Sequence, residues 1–435
     1  MNNNQIQKNK YIFFINIEEQ SRKIYEKSYK NDGYEKIEKE FIPSNIMVMK
    51  KEHENKLSDE VLEFTLNLIL RYNIEEPMIM NLSEELNSIL NQYEDNWTQY
   101  VKTNHIYILK LKKAIERNVY VKKTGGKMIK KDSIKSNSDK LNIEIAYTIP
   151  TNEIKGIVQF SHGMAEHKER YFKFMEYLSD RGYVCIINDH RGHGNSVKDK
   201  KDLGYFYTED INFIIDDLYD VTMYIKNKYP NYPVYLFSHS MGTLVARGYM
   251  QKYDNEIKKV ILCGPPTKNS FTPLAILLAY IFKIIGKDNK PNKKLNDLTF
   301  KSYNKSYKLK NEWLSKNPEN INMYNNDELC GFIFTTNGFI NLYKLLNRAY
   351  NVNLYKVQNE MLEIFLIAGD KDPVIQNIDK FKMLEKFLND VGYKNTKSKL
   401  YPSLRHEILN EGEREQIYED VLNFIEGIEK IEVKK

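Results

Sequence analysis

The sequence predicts an α/β protein: a doubly wound, mostly parallel sheet with helices on both faces, preceded by a mainly helical extension. Three observations carry this. From about residue 127, short and almost continuously apolar runs alternate with stretches of helical period. Runs with no polar face belong to strands buried on both sides, as in a parallel sheet. The charged, Gly-containing stretch KKTGGKMIKK separates this alternation from a first segment that lacks it. The predicted domains are therefore 1–126, an extension of unread function, and 127–435, the α/β domain.

Each element follows in order. An antiparallel start is expected around Met128 to Ile134, paired with Leu141 to Ile149 and turned by SNSDK. KGIVQF (Lys155 to Phe160) reads as a strand, followed by a helix through Tyr171 to Leu178. YVCIIND (Tyr183 to Asp189) is the next strand. Ile211, Ile214, Ile215, Leu218, Val221 and Ile225 then recur at steps of three and four, marking a long helix. YPVYLF (Tyr232 to Phe237) and KKVILCG (Lys258 to Gly264) are strands separated by a helix starting near Met241. LEIFLIAG (Leu362 to Gly369), a helix, SKLYP (Ser398 to Pro402) and a helix over about Glu413 to Glu429 complete the alternation. In the extension, helices are expected at Ser58 to Tyr72, with Ser58 as N-cap, and at Ser83 to Tyr93. Leu82, Leu86, Ile89, Leu90 and Tyr93 would share one face of the second.

An insertion of about residues 265–357 interrupts the sheet. Thr272-Pro273 opens a helix in it and Gly286 closes it. Apolar residues occupy almost its whole circumference, so it is buried or it meets an apolar ligand or surface. Its place above the carboxyl ends of the strands suits a lid.

Composition excludes some classes. Of 435 residues, 41% are hydrophobic and 29% charged, which argues against wholesale disorder. The net charge of +6 is modest, so the Lys-rich stretches read as solvated surface and no nucleic-acid partner is expected. Cys185, Cys263 and Cys330 form no CxxC pair and read as reduced thiols of a cytoplasmic protein. Tyr11 to Ile17 is short, follows Asn-rich sequence and lacks a small-residue cleavage site, so it does not read as a signal peptide. The longest apolar run, Leu274 to Phe282 and on to Ile285, falls short of the ~20 residues of a membrane span. The expectation is a soluble protein, with transient contact between cap and membrane surface.

The chemistry centres on LFSHSMGT, Leu236 to Thr243, which lies directly after a strand and before a helical stretch. A tight strand-to-helix turn of the Gly-x-Ser-x-Gly type projects a serine clear of the sheet and aims the next backbone N–H at a developing oxyanion. Ser240 is the candidate nucleophile, with Ser238 in the place of the first glycine. Only His406 among the eight histidines (His53, His105, His162, His167, His190, His193, His239 and His406) follows Ser240, as a base in the order Ser, acid, His requires. Asp370 and Asp372 both follow the apolar run ending at Gly369. Asp372 is favoured as the acid, and Asp370 as a turn residue bonding its own backbone. The loop SHGMAEH would place the N–H of Met164 beside that of Met241, with Gly163 allowing close approach. His162 and His167 read as loop braces. A zinc site built from His162, His167, His190 and His193 fits no familiar spacing, so no metal is expected. DHRGHGNS, Asp189 to Ser196, reads as a second bracing loop.

SHGMAEH, DHRGHG, SHSMGT, CGFIFT, AGDKDPV and RHEILNE occur in order from about residue 128 onward. As an ordered set they resemble the monoacylglycerol lipase/lysophospholipase branch of the α/β-hydrolase superfamily, the serine aminopeptidase S33-type hydrolases. The resemblance implies Ser240 as nucleophile, Asp372 as acid, His406 as base, and Met164 and Met241 as oxyanion-hole amides. It implies no cofactor, and a mobile cap between the sixth and seventh strands that admits single-chain lipids. The apolar helix occupies the corresponding insertion, with Leu274, Leu277, Leu278, Ile281 and Phe282 as candidate substrate contacts. The expected activity is hydrolysis of the acyl ester of a monoacylglycerol or a lysophospholipid. Two other readings stay open: a short-acyl carboxylesterase or peptidase-like enzyme of the same fold, and a non-catalytic binding or scaffold protein. The oligomeric state is not legible.

Overall fold

The computed structural model describes residues 129–428, except 287 and 306, and three short strands before them. Those strands, β1 (Tyr11–Ile12), β2 (Tyr34–Lys36) and β3 (Met49–Lys51), form an antiparallel sheet in the order β1–β3–β2. Elements of two or three residues carry no readable period, which is why the sequence did not announce them. The helices expected at Ser58 to Tyr72 and Ser83 to Tyr93 lie outside the described residues. The chain divides into units of residues 1–126 and 127–435.

In the second unit, eight strands form one sheet: β4 (Lys130–Lys135), β5 (Asn142–Thr148), β6 (Gly156–Ser161), β7 (Tyr183–Asn188), β8 (Val234–His239), β9 (Lys259–Cys263), β10 (Glu363–Gly369) and β11 (Asn395–Tyr401). Their order is β11–β10–β9–β8–β6–β7–β5–β4. β4 pairs antiparallel with β5, Ile134 opposite Ile143, and β5 pairs antiparallel with β7; the remaining pairs are parallel. Helices α1 (Phe172–Ser179), α2 (Asn212–Lys228), α3 (Met241–Tyr253), α8 (Ile378–Asp390) and α9 (Arg414–Glu426) cross over between strands or follow the last one, and α4 (Thr272–Ile284), α5 (Lys293–Phe300), α6 (Pro318–Asn326) and α7 (Thr336–Ala349) lie in the insertion between β9 and β10.

Alternation along the strands feeds two cores. Ile157, Val184, Leu236, Val260 and Ile364 join Leu218 and Val221 of α2 and Leu244 of α3 on one face. Val158, Phe160, Phe237, Ile261 and Phe365 join Phe174 of α1 and Val421 and Ile425 of α9 on the other. Both faces being covered explains why the central strands read as unbroken apolar runs. β11 extends earlier than SKLYP suggested. It lies at an end of the sheet, where Lys397 is exposed and Lys399 half-buried, and a charged edge does not look like a core strand.

The apolar helix α4 is buried on one face, as expected, and exposes apolar side chains on the opposite one. Ala275, Ile276, Leu278, Tyr280 and Phe282 pack against the core. Leu274, Leu277, Ile281 and Ile284 remain 62%, 58%, 49% and 83% exposed, a stripe at steps of three and four. Among the described residues no helix is long and apolar enough to cross a membrane.

Phe237 has no exposed surface, and its ring lies 5.5 Å from Phe160 and 5.4 Å from Phe174. Phe237→Ala is expected to lower the unfolding free energy in urea by about 3–5 kcal/mol, and a loss under about 1 kcal/mol would contradict this packing.

Candidate active site

Ser240 joins β8 to α3 in a strained turn, with φ 51° and ψ −120°. A non-glycine residue at positive φ costs about 1–3 kcal/mol, so the surroundings must impose it. They do so by crowding. A Cβ on Gly242 would fall 2.2 Å from the carbonyl oxygen of Ser161 and 2.6 Å from that of His162, so only glycine lets α3 start this close to β6. The Ser240 N–H donates to Cys263 O at 2.9 Å, anchoring the turn to the end of β9. Ser238 is buried and its hydroxyl donates to Ile261 O at 2.9 Å. That bond accommodates the departure from glycine, since the extra polar group finds a carbonyl on the neighbouring strand.

Asp372 and His406 meet beside this turn. Asp372 follows β10 and caps a short 3-10 turn, Oδ1 accepting from the Val374 N–H at 2.8 Å. His406 Nδ1 donates to Asp372 Oδ2 at 2.8 Å, and both side chains are buried. Since a carboxylate only accepts, Nδ1 carries the proton and Nε2 is the basic nitrogen. A Cβ on Gly369 would sit 2.1 Å from Leu404 O, which shows how tightly the end of β10 meets the loop bearing the histidine. Gly264, next after the residue that holds the Ser240 amide, has φ 57°, and a Cβ there would reach within 3.0 Å of the His406 ring. Ser240 and His406 thus flank Cys263, the last residue of β9, and Gly264, which follows it. Asp370 turns away, but its Oδ1 accepts from the Ser403 N–H at 2.8 Å rather than from its own backbone as expected, and it is Asp372 that bonds the main chain two residues on. From the insertion, the Trp313 ring stands 5.2 Å from His406.

The loop after β6 crosses the same point. A Cβ on Gly163 would come within 3.1 Å of the Ser240 Cβ and 2.6 Å of Glu166 Oε1. Met164 follows directly, and Ala165 takes a positive φ of 51°. Ala165 O accepts from the Gly331 N–H at 2.9 Å and the Tyr324 hydroxyl at 3.0 Å, so the insertion holds this loop. Met241 occupies the first position of α3, where helix geometry leaves the N–H without an intrahelical acceptor. Of the apolar candidates on α4, Leu274, Leu277 and Ile281 face outward, and Leu278 and Phe282 pack inward.

Other histidines among the described residues brace the loops. The His190 N–H donates to His162 Nε2 at 2.9 Å, and His162 Nδ1 donates to Gly163 O at 2.8 Å. His190 Nε2 meets the Ser161 hydroxyl at 2.9 Å. In DHRGHG, Asp189 accepts from the N–H groups of Lys168 and Asn195 and from Lys168 Nζ, at 2.8, 2.9 and 2.5 Å. Among the described residues, one group has donors close enough to share an ion: His167, Asp327 and Cys330, with ligand atoms within 4.8 Å of one another. There, His167 Nε2 already bonds Asp327 Oδ2 at 2.8 Å, so both partners are satisfied without a metal. His162, His190 and His193 take no part in it.

Sequence reasoning missed one set of residues behind the site. Glu166 accepts from the Gly163 N–H (2.6 Å), the Tyr171 hydroxyl (2.8 Å) and Arg170 (2.7 Å), and faces His239 Nδ1 at 3.2 Å. Arg170 also forks onto both oxygens of Glu407, at 2.6 Å each. The i, i+4 spacing of Glu166 and Arg170, with Glu407 next to His406, was the available signal.

Burial holds His162 down to about 3 and His193 to about 4, so both are neutral in the folded protein. Below about pH 6.5 the unfolded chain takes up protons that these rings refuse, so their contribution is intact above that pH and lost as pH falls through the window. Urea titrations are expected to show stability falling from about pH 6.5 to 5 by about 2 kcal/mol per ring; a flat profile would contradict the buried neutral cluster.

A model of the family described as serine aminopeptidase, S33, matches residues 152–413. The monoacylglycerol lipase of Mycolicibacterium smegmatis is 24% identical over 285 residues, spanning 65% of this chain and 93% of the relative. The monoglyceride lipase of Saccharomyces cerevisiae is 25% identical over 292 residues, spanning 63% and 84%. Among solved structures, a thermostable carboxyl esterase from Bacillus coagulans superposes with a TM-score of 0.64 at 25% identity, covering 69% of this chain and 98% of the other. A soluble variant of the Saccharomyces cerevisiae monoglyceride lipase, bound to a substrate analogue, shares the fold with a TM-score of 0.52 at 19% identity, covering 69% and 96%. The match over residues 152–413, which runs from β6 through β11 and includes the insertion, places this chain in the S33 serine aminopeptidase family of α/β-hydrolases.

Proposed function

We propose that this chain is a serine hydrolase that cleaves the acyl ester of a monoacyl lipid, a monoacylglycerol or a lysophospholipid. The observation that carries the reading is the 2.8 Å bond between buried Asp372 and His406, made where the strained turn presents Ser240. His406 Nε2 takes the Ser240 proton as the hydroxyl oxygen attacks the ester carbonyl. The amides of Met164 and Met241 receive the oxyanion. Collapse expels the alcohol, which takes the proton from His406 and leaves an acyl-Ser240. Water, deprotonated by the same imidazole, then releases the fatty acid. Asp372 fixes the ring and stabilises its cationic form.

Two points favour a lipid over a peptide. Relatives matched over most of their length are named lipases of monoacylglycerol. The insertion also presents Phe271, Leu274, Leu277, Ile281 and Ile284 to solvent, an apolar stripe suited to a membrane surface that supplies single-chain substrate.

Ser240→Ala is expected to cut hydrolysis of a long-chain monoacylglycerol by at least about 10⁴-fold with the fold retained; unchanged turnover would end the assignment. Across substrates, kcat/KM should favour long monoacyl esters over p-nitrophenyl acetate and over an aminoacyl amide, and a preference for either of the latter would move the chain to the esterase or peptidase reading. Replacing both Phe271 and Ile284 with Ser should weaken co-sedimentation with phosphatidylcholine vesicles several-fold, and undiminished binding would exclude the stripe as the contact.

A further inference from the structure

His239 is the residue just before Ser240, and it is buried. Its two ring nitrogens face different partners. Nδ1 lies 3.2 Å from Glu166 Oε1, and Nε2 lies 3.3 Å from the backbone carbonyl oxygen of His406. A carbonyl oxygen can only accept. Glu166 also accepts here, because its other contacts, from the Gly163 N–H, the Tyr171 hydroxyl and Arg170, are all donors. A neutral imidazole has one N–H and would leave a lone pair aimed at an oxygen lone pair. Only the doubly protonated ring satisfies both sides.

Charge balance leads to the same state independently. Glu166 and Glu407 are buried and share the largely covered Arg170, two carboxylates against one guanidinium. Uncompensated charge is costly in such a place, and a cationic His239 brings the sum to zero. The groups facing the ring are Glu166, with Arg170 and Glu407 behind it, the Tyr171 ring at 6.4 Å, and the His406 ring at 4.6 Å. Burial pulls His239 downward, but the hydrogen bond and charge of Glu166 carry it above its ordinary value.

We propose that His239 is a positioning residue, a standing imidazolium that clamps the loop of Gly163 and Met164, through Glu166, to the main chain of His406. One charged ring thereby sets the spacing between the oxyanion amides and the base. The cluster continues into the insertion, where Asn320 bonds both Arg170 (3.1 Å) and Glu407 (2.7 Å) and the Tyr324 ring lies 4.9 Å from the Arg170 guanidinium. The inference rests on the hydrolase reading for what the clamp positions, but the charge state can be read without turnover.

The test is multiple-bond 1H–15N NMR of the full chain labelled with 15N-histidine, at about pH 8, where an ordinary histidine is neutral. One of the eight histidines should show both nitrogens protonated, and that signal should vanish in His239→Asn. Glu166→Gln should convert it to a neutral ring and lower kcat about ten- to a hundred-fold with KM little changed. A neutral His239 in the wild-type protein overturns the proposal whatever the variants do. So does a Glu166→Gln enzyme of full kcat. A wild-type protein without ester hydrolysis would sink the hydrolase reading alone and leave the NMR result standing.

Discussion

The site depends on main-chain crowding at the carboxyl ends of β6, β8, β9 and β10. At three glycines there, Gly242, Gly264 and Gly369, a single added carbon would strike a neighbouring backbone or the His406 ring at 3.0 Å or less. These approaches force Ser240 into its strained turn and press the histidine loop against the end of β10. Parallel strands supply the setting, since their carboxyl ends all open on one edge and the loops there can converge. The strain at Ser240 is offset by burial of the strands on either side, whose core residues have almost no exposed surface.

Much of this was legible in the sequence, for identifiable reasons. The central strands are buried on both faces and announce themselves as apolar runs. The Ser, acid, His order follows from how a doubly wound sheet presents its loops. Asp372 was favoured over Asp370 because it precedes a proline turn, and it is Asp372 that bonds His406; the local backbone bond expected of Asp370 is made by Asp372 instead, while Asp370 serves the Ser403 amide. The start of β11 was missed because an edge strand can carry lysines, and β1 to β3 because they are too short to show a period. The α4 helix was ambiguous on paper because apolar residues surround it. The structure divides them between a packed face and an exposed stripe.

The charged cluster behind the site was illegible for a different reason. Glu166, Arg170, His239 and Glu407 come from three separate stretches, and a lone charged residue in a sequence usually marks solvent. Only coordinates show that Glu166, His239 and Glu407 are buried around Arg170, and that their donors and acceptors match when His239 is cationic. The insertion joins them through Asn320 and Tyr324, and also holds the loop after β6 at Ala165. This part of the insertion is therefore tied to the loops around Ser240 and His406. The exposed apolar stripe lies on another of its helices, so one insertion combines a fixed support with an uncovered apolar face.

The central claim is that Ser240 is made nucleophilic by His406. It is tested most directly by treating the protein with a fluorophosphonate and mapping the adduct by mass spectrometry, in the wild type and in His406→Ala. The account predicts one adduct, on the peptide containing Ser240, formed at least about 10³-fold more slowly in the variant. An adduct elsewhere, or a rate on Ser240 indifferent to the loss of the imidazole, would contradict it.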